Sequence, residues 1–201
     1  ALTTAQIAGL DTVHVAALQT ADLAALSVDQ VRGLGTAAVV ALSAAQLQAL
    51  TTEQVAALRT SQVAAIEAAD LATMETADIA AMGTAQIRAM SSAQIGALST
   101  DQLANMGTAQ VAAIGTAQIS AIATEDLNTL GTAQFAALTT AQIAKLSTDQ
   151  VQAMETADLA ALGTGQIRAI TTAGIAALND GSITALTSAQ VMGLTTAQVR
   201  A

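Results

Sequence analysis

The feature that most constrains this chain is an octapeptide that recurs without a gap. From residue 2 to residue 201, twenty-five consecutive copies follow the pattern Leu-Thr-Thr-Ala-Gln-Ile-Ala-Ala. Position one is Leu, Ile or Met in every copy, and position six is Ile, Val, Leu or Phe in every copy. Self-similarity at a fixed short period is typical of solenoids, in which each repeat buries its apolar face on its neighbours. We therefore predict a single repeat array over residues 1–201, with its 25 octapeptides in residues 2–201.

Each octapeptide carries the sequence signals of a helix start. Position two is Ser, Thr, Gly, Asp or Asn in nineteen copies, and position five is Gln in sixteen copies and Asp in five. A hydroxyl at the N-cap and a Gln three residues later form a capping box, and apolar residues at positions one and six form a hydrophobic staple around the same cap. Because the next cap follows eight residues later, each helix can extend only from about position three to position eight, roughly 9 Å at about 1.5 Å per residue.

These signals predict an all-α solenoid of very short helices, one per octapeptide. One continuous helix does not fit, because the apolar positions would drift by roughly 80° per octapeptide and form no stripe. A β-solenoid is the alternative, since Thr, Ile and Val favour strands. Parity argues against it, because positions one and six are an odd number of residues apart and would face opposite sides of a regular strand.

The acidic residues at position four predict how many octapeptides form one coil. They occupy copies that are always a multiple of three copies apart, and they are Asp29, Glu53, Asp101, Glu125 and Asp149. We therefore predict three octapeptides, or 24 residues, per coil. A coil of two octapeptides is the alternative, but these acids alternate between odd and even copies and do not support it.

Helical geometry assigns a direction to each position of the octapeptide. With successive residues about 100° apart around the helix, position six and the following position one share one side and predict the core. We expect Thr at position three and Gln at position five on the flanks, towards neighbouring coils, and Ala at positions four and eight on the outside. Five methionines replace Leu at position one and are expected to fill the core: Met74, Met82, Met90, Met106 and Met154.

Composition narrows the classes of partner. The chain has no Cys, Trp, Tyr or Pro, and its formal net charge is −9. The basic residues are scattered singly, so no basic patch is present to neutralise phosphates, and the negative charge repels nucleic acid and anionic membranes. These basic residues are Arg32, Arg59, Arg88, Lys145, Arg168 and Arg200. No apolar run approaches the roughly 20 residues that span a bilayer. We expect no nucleic acid partner and no membrane insertion.

No residue pattern indicates an active site. A Ser or Thr nucleophile needs a neighbouring base and an oxyanion-stabilising group, and a chain with one histidine and no Cys or Tyr offers neither. That histidine, His14, stands at position five, where a simple substitution explains it better than metal binding, since metal sites need several converging donors. We expect no enzyme activity, no catalytic residues, no cofactor, no metal and no small-molecule substrate.

Two groups of polar residues are interpreted as structural. Three Glu-x-x-Asp pairs place negative charge at a helix start, where it complements the positive end of the helix dipole, and we favour this over acid–base catalysis or calcium binding. The pairs are Glu67 with Asp70, Glu75 with Asp78, and Glu155 with Asp158. The run from Asn179 to Ser182 has turn-forming residues where a helix should begin, and it predicts a local kink or a loosened cap.

The two ends of the chain are in phase with the repeat. Ala1 fits position eight of a preceding copy, and residues 194–201 are close to the consensus. Solenoids usually finish in atypical capping repeats. We therefore expect a segment of a longer array, whose partner is itself, through end-to-end and lateral packing.

The whole chain resembles the octapeptide-repeat stretches, rich in Thr-Ala-Gln-Ile and Thr-Asp-Gln-Val, of very long secreted or surface proteins of bacteria. The resemblance implies export, an extracellular location and a structural or adhesive role, with which a Cys-free acidic composition is compatible. The expected function is a rod, filament or sheath segment on a bacterial surface. The alternative is a binding or adhesion module that presents rows of Thr to ice or another surface, which requires Thr at position three to be exposed.

Overall fold

Short helices follow the octapeptide throughout the computed structural model, which describes residues 2–201 and leaves Ala1 outside the described residues. Every helix begins at position three and ends at position six, seven or eight, and residues 2–201 contain no strand. The predicted all-α fold with one helix per octapeptide is therefore confirmed, and the β-solenoid alternative is wrong. None of these helices combines the length and the apolar character needed to cross a bilayer.

The described residues form two compact units, 2–105 and 106–201. The first unit contains α1 to α13, which are Thr4–Ala8, Thr12–Ala16, Thr20–Ala24, Val28–Gly33, Thr36–Val40, Ala44–Gln48, Thr52–Ala57, Thr60–Val63, Ala68–Leu71, Thr76–Ala81, Thr84–Ala89, Ser92–Gly96 and Thr100–Ala104. The second unit contains α14 to α25, which are Thr108–Ala113, Thr116–Ile119, Thr124–Leu127, Thr132–Ala137, Thr140–Ile143, Thr148–Gln152, Thr156–Ala161, Thr164–Ala169, Thr172–Ala176, Asp180–Ala185, Ser188–Gly193 and Thr196–Val199. Each unit is a repeat array by itself, and the single array over residues 1–201 stays a prediction.

The helices start where they do because of the predicted capping box. Before α12, the Ser91 hydroxyl accepts a hydrogen bond from the backbone N–H of Gln94 at 3.1 Å. In return, Gln94 Oε1 accepts from the backbone N–H of Ser91 at 2.7 Å. Two N–H groups that have no partner inside the helix are thereby satisfied, which is how a helix of only one or two turns can begin at a fixed residue.

Helices one coil apart pack on each other within each unit. In the first unit, contacts join α1 to α4, α4 to α7, α7 to α10, α10 to α13, α2 to α5, α5 to α8, α8 to α11, α3 to α6 and α9 to α12. In the second unit, they join α14 to α17, α17 to α20, α20 to α23, α15 to α18, α18 to α21, α21 to α24, α16 to α19, α19 to α22 and α22 to α25. Every third helix therefore stacks, and the predicted coil of three octapeptides is confirmed over the two-octapeptide alternative.

The core of each unit is made from positions one and six, as predicted. Position six is fully buried at residues such as Val63 and Ile87 in the first unit and Ile119 and Phe135 in the second. The five methionines at position one are buried as well: Met74, Met82, Met90, Met106 and Met154. Removing these side chains from water is the main stabilising contribution that so short a helix can receive, because its own hydrogen bonds are few.

Two other positions differ from the prediction. Thr at position three is exposed in most copies, whereas Ala at position eight is half-buried in most copies and buried at Ala113. The reason is that position eight lies against position three of the preceding coil. A Cβ added to Gly193, for example, would stand 3.3 Å from the Cβ of Thr164. The outer surface therefore consists mainly of positions three, four and seven.

Candidate functional site

The most regular polar feature of the structure is a series of buried Gln side chains at position five. In the second unit, Gln142 Nε2 donates to the backbone carbonyls of Val111 at 2.8 Å and Ile114 at 2.7 Å. The Oε1 atom of the same side chain accepts from the backbone N–H of Thr139 at 2.6 Å. One Gln side chain therefore satisfies the start of its own helix and two carbonyls at the end of a helix in the preceding coil, groups that lack intrahelical partners.

The same two acceptors, 31 and 28 residues earlier in the chain, recur along both units. We call this series the glutamine ladder. Its members with both bonds are Gln46, Gln54, Gln62, Gln86, Gln94, Gln102, Gln142, Gln150, Gln166, Gln190 and Gln198. The expectation that Gln at position five bonds between coils is confirmed, and the same expectation for Thr at position three is wrong where Thr is exposed.

Comparison with protein families identifies the repeat that carries this ladder. A family described as the ALTTAQ repeat matches residues 15–52, 39–68, 63–100, 71–108, 119–156 and 151–188. The chain belongs to the ALTTAQ repeat family. The family's six letters correspond to positions eight, one, two, three, four and five of the octapeptide, so they include both the N-cap and the ladder Gln. No curated protein matches the chain.

Some ALTTAQ repeats interrupt the ladder with Asp at position five. Asp78 and Asp158 are almost fully buried, at 2% and 4% exposure. An ionised carboxylate accepts hydrogen bonds but cannot donate to carbonyls, as the Gln amide does. Burial raises the pKa of Asp78, a hydrogen bond from Thr52 opposes the rise, and the charge of Glu75 adds to it.

Asp158 resembles Asp78 in its surroundings. Burial raises the pKa of Asp158, and the charge of Glu155 raises it further. In both repeats the N-cap Glu makes no side-chain hydrogen bond to the helix start. The dipole interpretation of these pairs did not include the burial of the Asp. The available signal was that position five had already been placed on a flank, towards the neighbouring coil.

His14 lies on the surface of the first unit. Its Nδ1 is 2.6 Å from Asp11 Oδ1, with 70% and 62% of the two side chains exposed. Asp11 is the N-cap of α2 and accepts from the backbone N–H of His14 at 2.8 Å. This backbone bond, followed by the bond to the ring, lowers the pKa of Asp11. Within residues 2–201, no group of three His, Cys, Asp or Glu residues is placed to hold a metal ion.

The run from Asn179 to Ser182 forms a regular helix start. Asn179 Oδ1 accepts from the backbone N–H of Ser182 at 2.9 Å, and α23 continues to Ala185. The prediction of a kink or a loosened cap is therefore wrong. The amide oxygen of Asn accepts the N-cap hydrogen bond as well as a hydroxyl does, so turn-forming composition did not weaken the helix.

An open hollow on the first unit is bordered by two arginines. Arg32 and Arg59 line it together with residues 56–58, 60–61, 83 and 85–86. The Arg59 guanidinium donates to the backbone carbonyl of Leu34 at 2.8 Å, one coil earlier, so it contributes to coil packing. The lining contains no carboxylate and no His. It therefore offers no acid–base pair for catalysis.

Proposed function

We propose that this ALTTAQ-repeat chain is a non-catalytic structural protein, a segment of a rod, filament or sheath on a bacterial surface. Coil stacking and self-association would build the assembly. The observation that carries the proposal is the glutamine ladder. Its contacts give every coil the same attachment to the coil before it.

The ladder makes growth along the array repetitive. Gln190 takes the carbonyls of Leu159 and Leu162, and Gln166 in the same unit takes those of Phe135 and Leu138. Each octapeptide thus uses acceptors of the preceding coil and presents equivalent carbonyls to the next. In repeat proteins of this kind, stability is close to a sum of repeat terms and nearest-neighbour terms, so length can increase without a new core design. This suits a protein whose task is to supply length.

The outer surface supports packing between neighbouring arrays. Exposed positions three, four and seven are mostly Thr, Ala or Gly, and charged residues make up 10% of the chain. Short, weakly charged side chains allow a neighbour to approach closely, and they lose little conformational entropy when they are covered. The net charge of −9 disfavours anionic partners such as nucleic acid. Export to the cell surface rests on the resemblance to bacterial surface proteins and on the absence of Cys.

Electron microscopy and sedimentation velocity of the purified chain test this function. We expect ordered assemblies that increase with protein concentration. The double variant Ala77→Lys and Ala109→Lys adds charge at exposed position four and should weaken lateral packing, with an unchanged helical circular dichroism spectrum. A chain that remains monomeric at every concentration would contradict the structural role.

A second candidate, a binding module for ice or another ordered surface, is favoured by one observation. Thr108, Thr132 and Thr156 occupy position three of three successive coils and are all exposed. Hydroxyl and methyl groups at one-coil intervals would present a regular array to such a surface. Thermal hysteresis measured on the wild type and on Thr108→Lys/Thr132→Lys tests this candidate. Activity that disappears in the variant would favour it, and absence of activity in the wild type would exclude ice.

A further inference from the structure

Charge is unevenly distributed among the helix stacks of the second unit. The cationic stack consists of α15, α18, α21 and α24 and contains Lys145 and Arg168 but no carboxylate. The acidic stack consists of α16, α19, α22 and α25 and contains Glu125, Asp126 and Asp149. Its single cation, Arg200, follows α25, two coils after Asp149. One unit therefore presents two sides of opposite charge.

The charged side chains on these two sides have no ion-pair partners within the chain. Among residues 2–201, the ion pair between His14 and Asp11 is the only one. Lys145 and Arg168 are exposed, and so are Glu125 and Asp149. Four charges that are unpaired within the described chain are thus available to a neighbouring molecule.

The spacing of the two sides is also complementary. Lys145 and Arg168 belong to α18 and α21, which pack directly on each other, and Glu125 and Asp149 belong to α16 and α19, which also pack directly. Each pair is one coil apart, a separation of about 8–10 Å for packed helices. Because one coil repeat sets both separations, two cations on one molecule match two carboxylates on another in the same register.

The surroundings of the two cations permit close approach. In the octapeptides that contain α15, α18 and α21, every exposed side chain other than Lys145 and Arg168 is Gly, Ala, Ser or Thr. The long flexible cations therefore extend beyond a surface of short side chains. A partner that pairs with them would meet no other bulky group on that part of the stack.

We propose that the cationic stack of one copy docks side by side on the acidic stack of a second copy, with Lys145 and Arg168 opposite Glu125 and Asp149. This inference rests on the proposed self-association and adds the surface that sets its register. Because the two sides differ, the contact is heterologous, and each copy keeps a free cationic or acidic side for the next one. Exposed ion pairs are individually weak, so they select orientation and register while the short side chains between them provide the contact area.

Charge reversal tests this docking by sedimentation velocity of the full chain at low salt. K145E/R168E makes both sides acidic, and E125K/D149K makes both sides cationic. We expect each variant alone to need about a tenfold higher concentration for half assembly, because attractive pairs become repulsive ones. An equimolar mixture of the two variants should recover wild-type assembly. Circular dichroism should show the same helical signal in all samples.

The cationic variant separates docking from a general charge effect. E125K/D149K reduces the overall negative charge of −9, so a net-charge effect alone would strengthen association, whereas docking predicts that it weakens. A133E/A157E places two acids at exposed position four of the third stack, formed by α14, α17, α20 and α23, and should leave the half-assembly concentration within about twofold.

The possible outcomes distinguish this inference from the proposed function. If the wild type assembles and both charge-reversal variants assemble equally well, the docking surface is wrong and the structural role stands. If the variants fail alone and the mixture also fails, the docking register is wrong. If the wild type itself stays monomeric at low salt, the proposed function is contradicted and the docking falls with it.

Discussion

Gln142 donates its side-chain Nε2–H to the backbone carbonyl of Ile114, 28 residues earlier, across an N···O distance of 2.7 Å. Both groups that this side chain joins, the Thr139 N–H and the Ile114 carbonyl, belong to the main chain. The joint between coils therefore depends on the presence of Gln and not on the side chain at the acceptor. This explains how Leu, Ile and Met can all occupy position one, as Gln102 shows by donating to the carbonyl of Met74.

Removing one ladder Gln should weaken the second unit. Gln142→Ala leaves the carbonyls of Val111 and Ile114 without this donor, and a buried unsatisfied polar group costs about 1–3 kcal/mol. Chemical denaturation followed by circular dichroism measures the loss. Gln152→Ala is the matched control, because Gln152 is exposed at position seven, and it should change stability by less than about 0.5 kcal/mol. Equal losses for the two variants would show that the ladder contributes nothing beyond helix propensity.

A cavity in the core should cost more than any surface change. Ile119 is fully buried at position six. Ile119→Ala should lose about 2–5 kcal/mol, the usual range for a large aliphatic side chain truncated in a core. His14→Gln restores the consensus residue on the surface and should cost less than about 0.5 kcal/mol. Thermal melts rank the two variants, and a comparable loss for His14→Gln would reveal a role that its position does not explain.

The buried Asp residues should make the array less stable as pH rises. The pKa of Asp78 and of Asp158 is raised in the folded chain, so the folded state holds these protons more tightly than the unfolded state. Their contribution is fully present below the ordinary aspartate pKa and is lost as pH rises through the raised values. Denaturation midpoints measured between acidic and neutral pH should therefore fall across that interval. Asp11, whose pKa is lowered, acts in the opposite sense at lower pH.

Asp158→Gln should remove part of this pH dependence. The variant places a donor where ladder residues reach carbonyls 31 and 28 residues earlier, here those of Leu127 and Leu130. It should gain about 0.5–1.5 kcal/mol at neutral pH, the usual net value of an intramolecular hydrogen bond. Asp149→Gln, at an exposed position, is the control and should leave the slope against pH unchanged. A slope that is identical in wild type and Asp158→Gln would contradict the assignment.

Two helical glycines should respond to alanine with opposite signs. A Cβ on Gly165 would lie 3.8 Å from Thr140 Cγ2, an ordinary contact, so Gly165→Ala should gain about 0.5–1 kcal/mol from reduced backbone entropy. A Cβ on Gly174 would lie 2.9 Å from Ile170 Cγ2, and overpacking of about 1–3 kcal/mol should exceed that gain. Thermal melts of the two variants check the signs. A stabilised Gly174→Ala would mean that Ile170 moves away without cost.

Local signals predicted what depends on residues within one octapeptide. The cap at position two, the helix start at position three and the burial of positions one and six follow from contacts among residues at most four apart, which the repeat shows directly. The three-octapeptide coil was also accessible, because Asp29, Glu53 and Asp101 avoid the core and record the register of the coil. The cap at Asn179 was misjudged because turn-forming composition outweighed its ability to accept an N-cap hydrogen bond.

The sequence by itself determined the period, the helix starts and the apolar positions, since these rest on local hydrogen bonding and on a fixed angle per residue. Only the tertiary structure decided where the second half of each Gln amide goes, which Thr are exposed, and that Asp78 and Asp158 are buried. Those features depend on atoms from helices that are distant in the chain. Helix packing alone brings the end of one helix to the start of another in the next coil, and no signal inside a single octapeptide records that meeting.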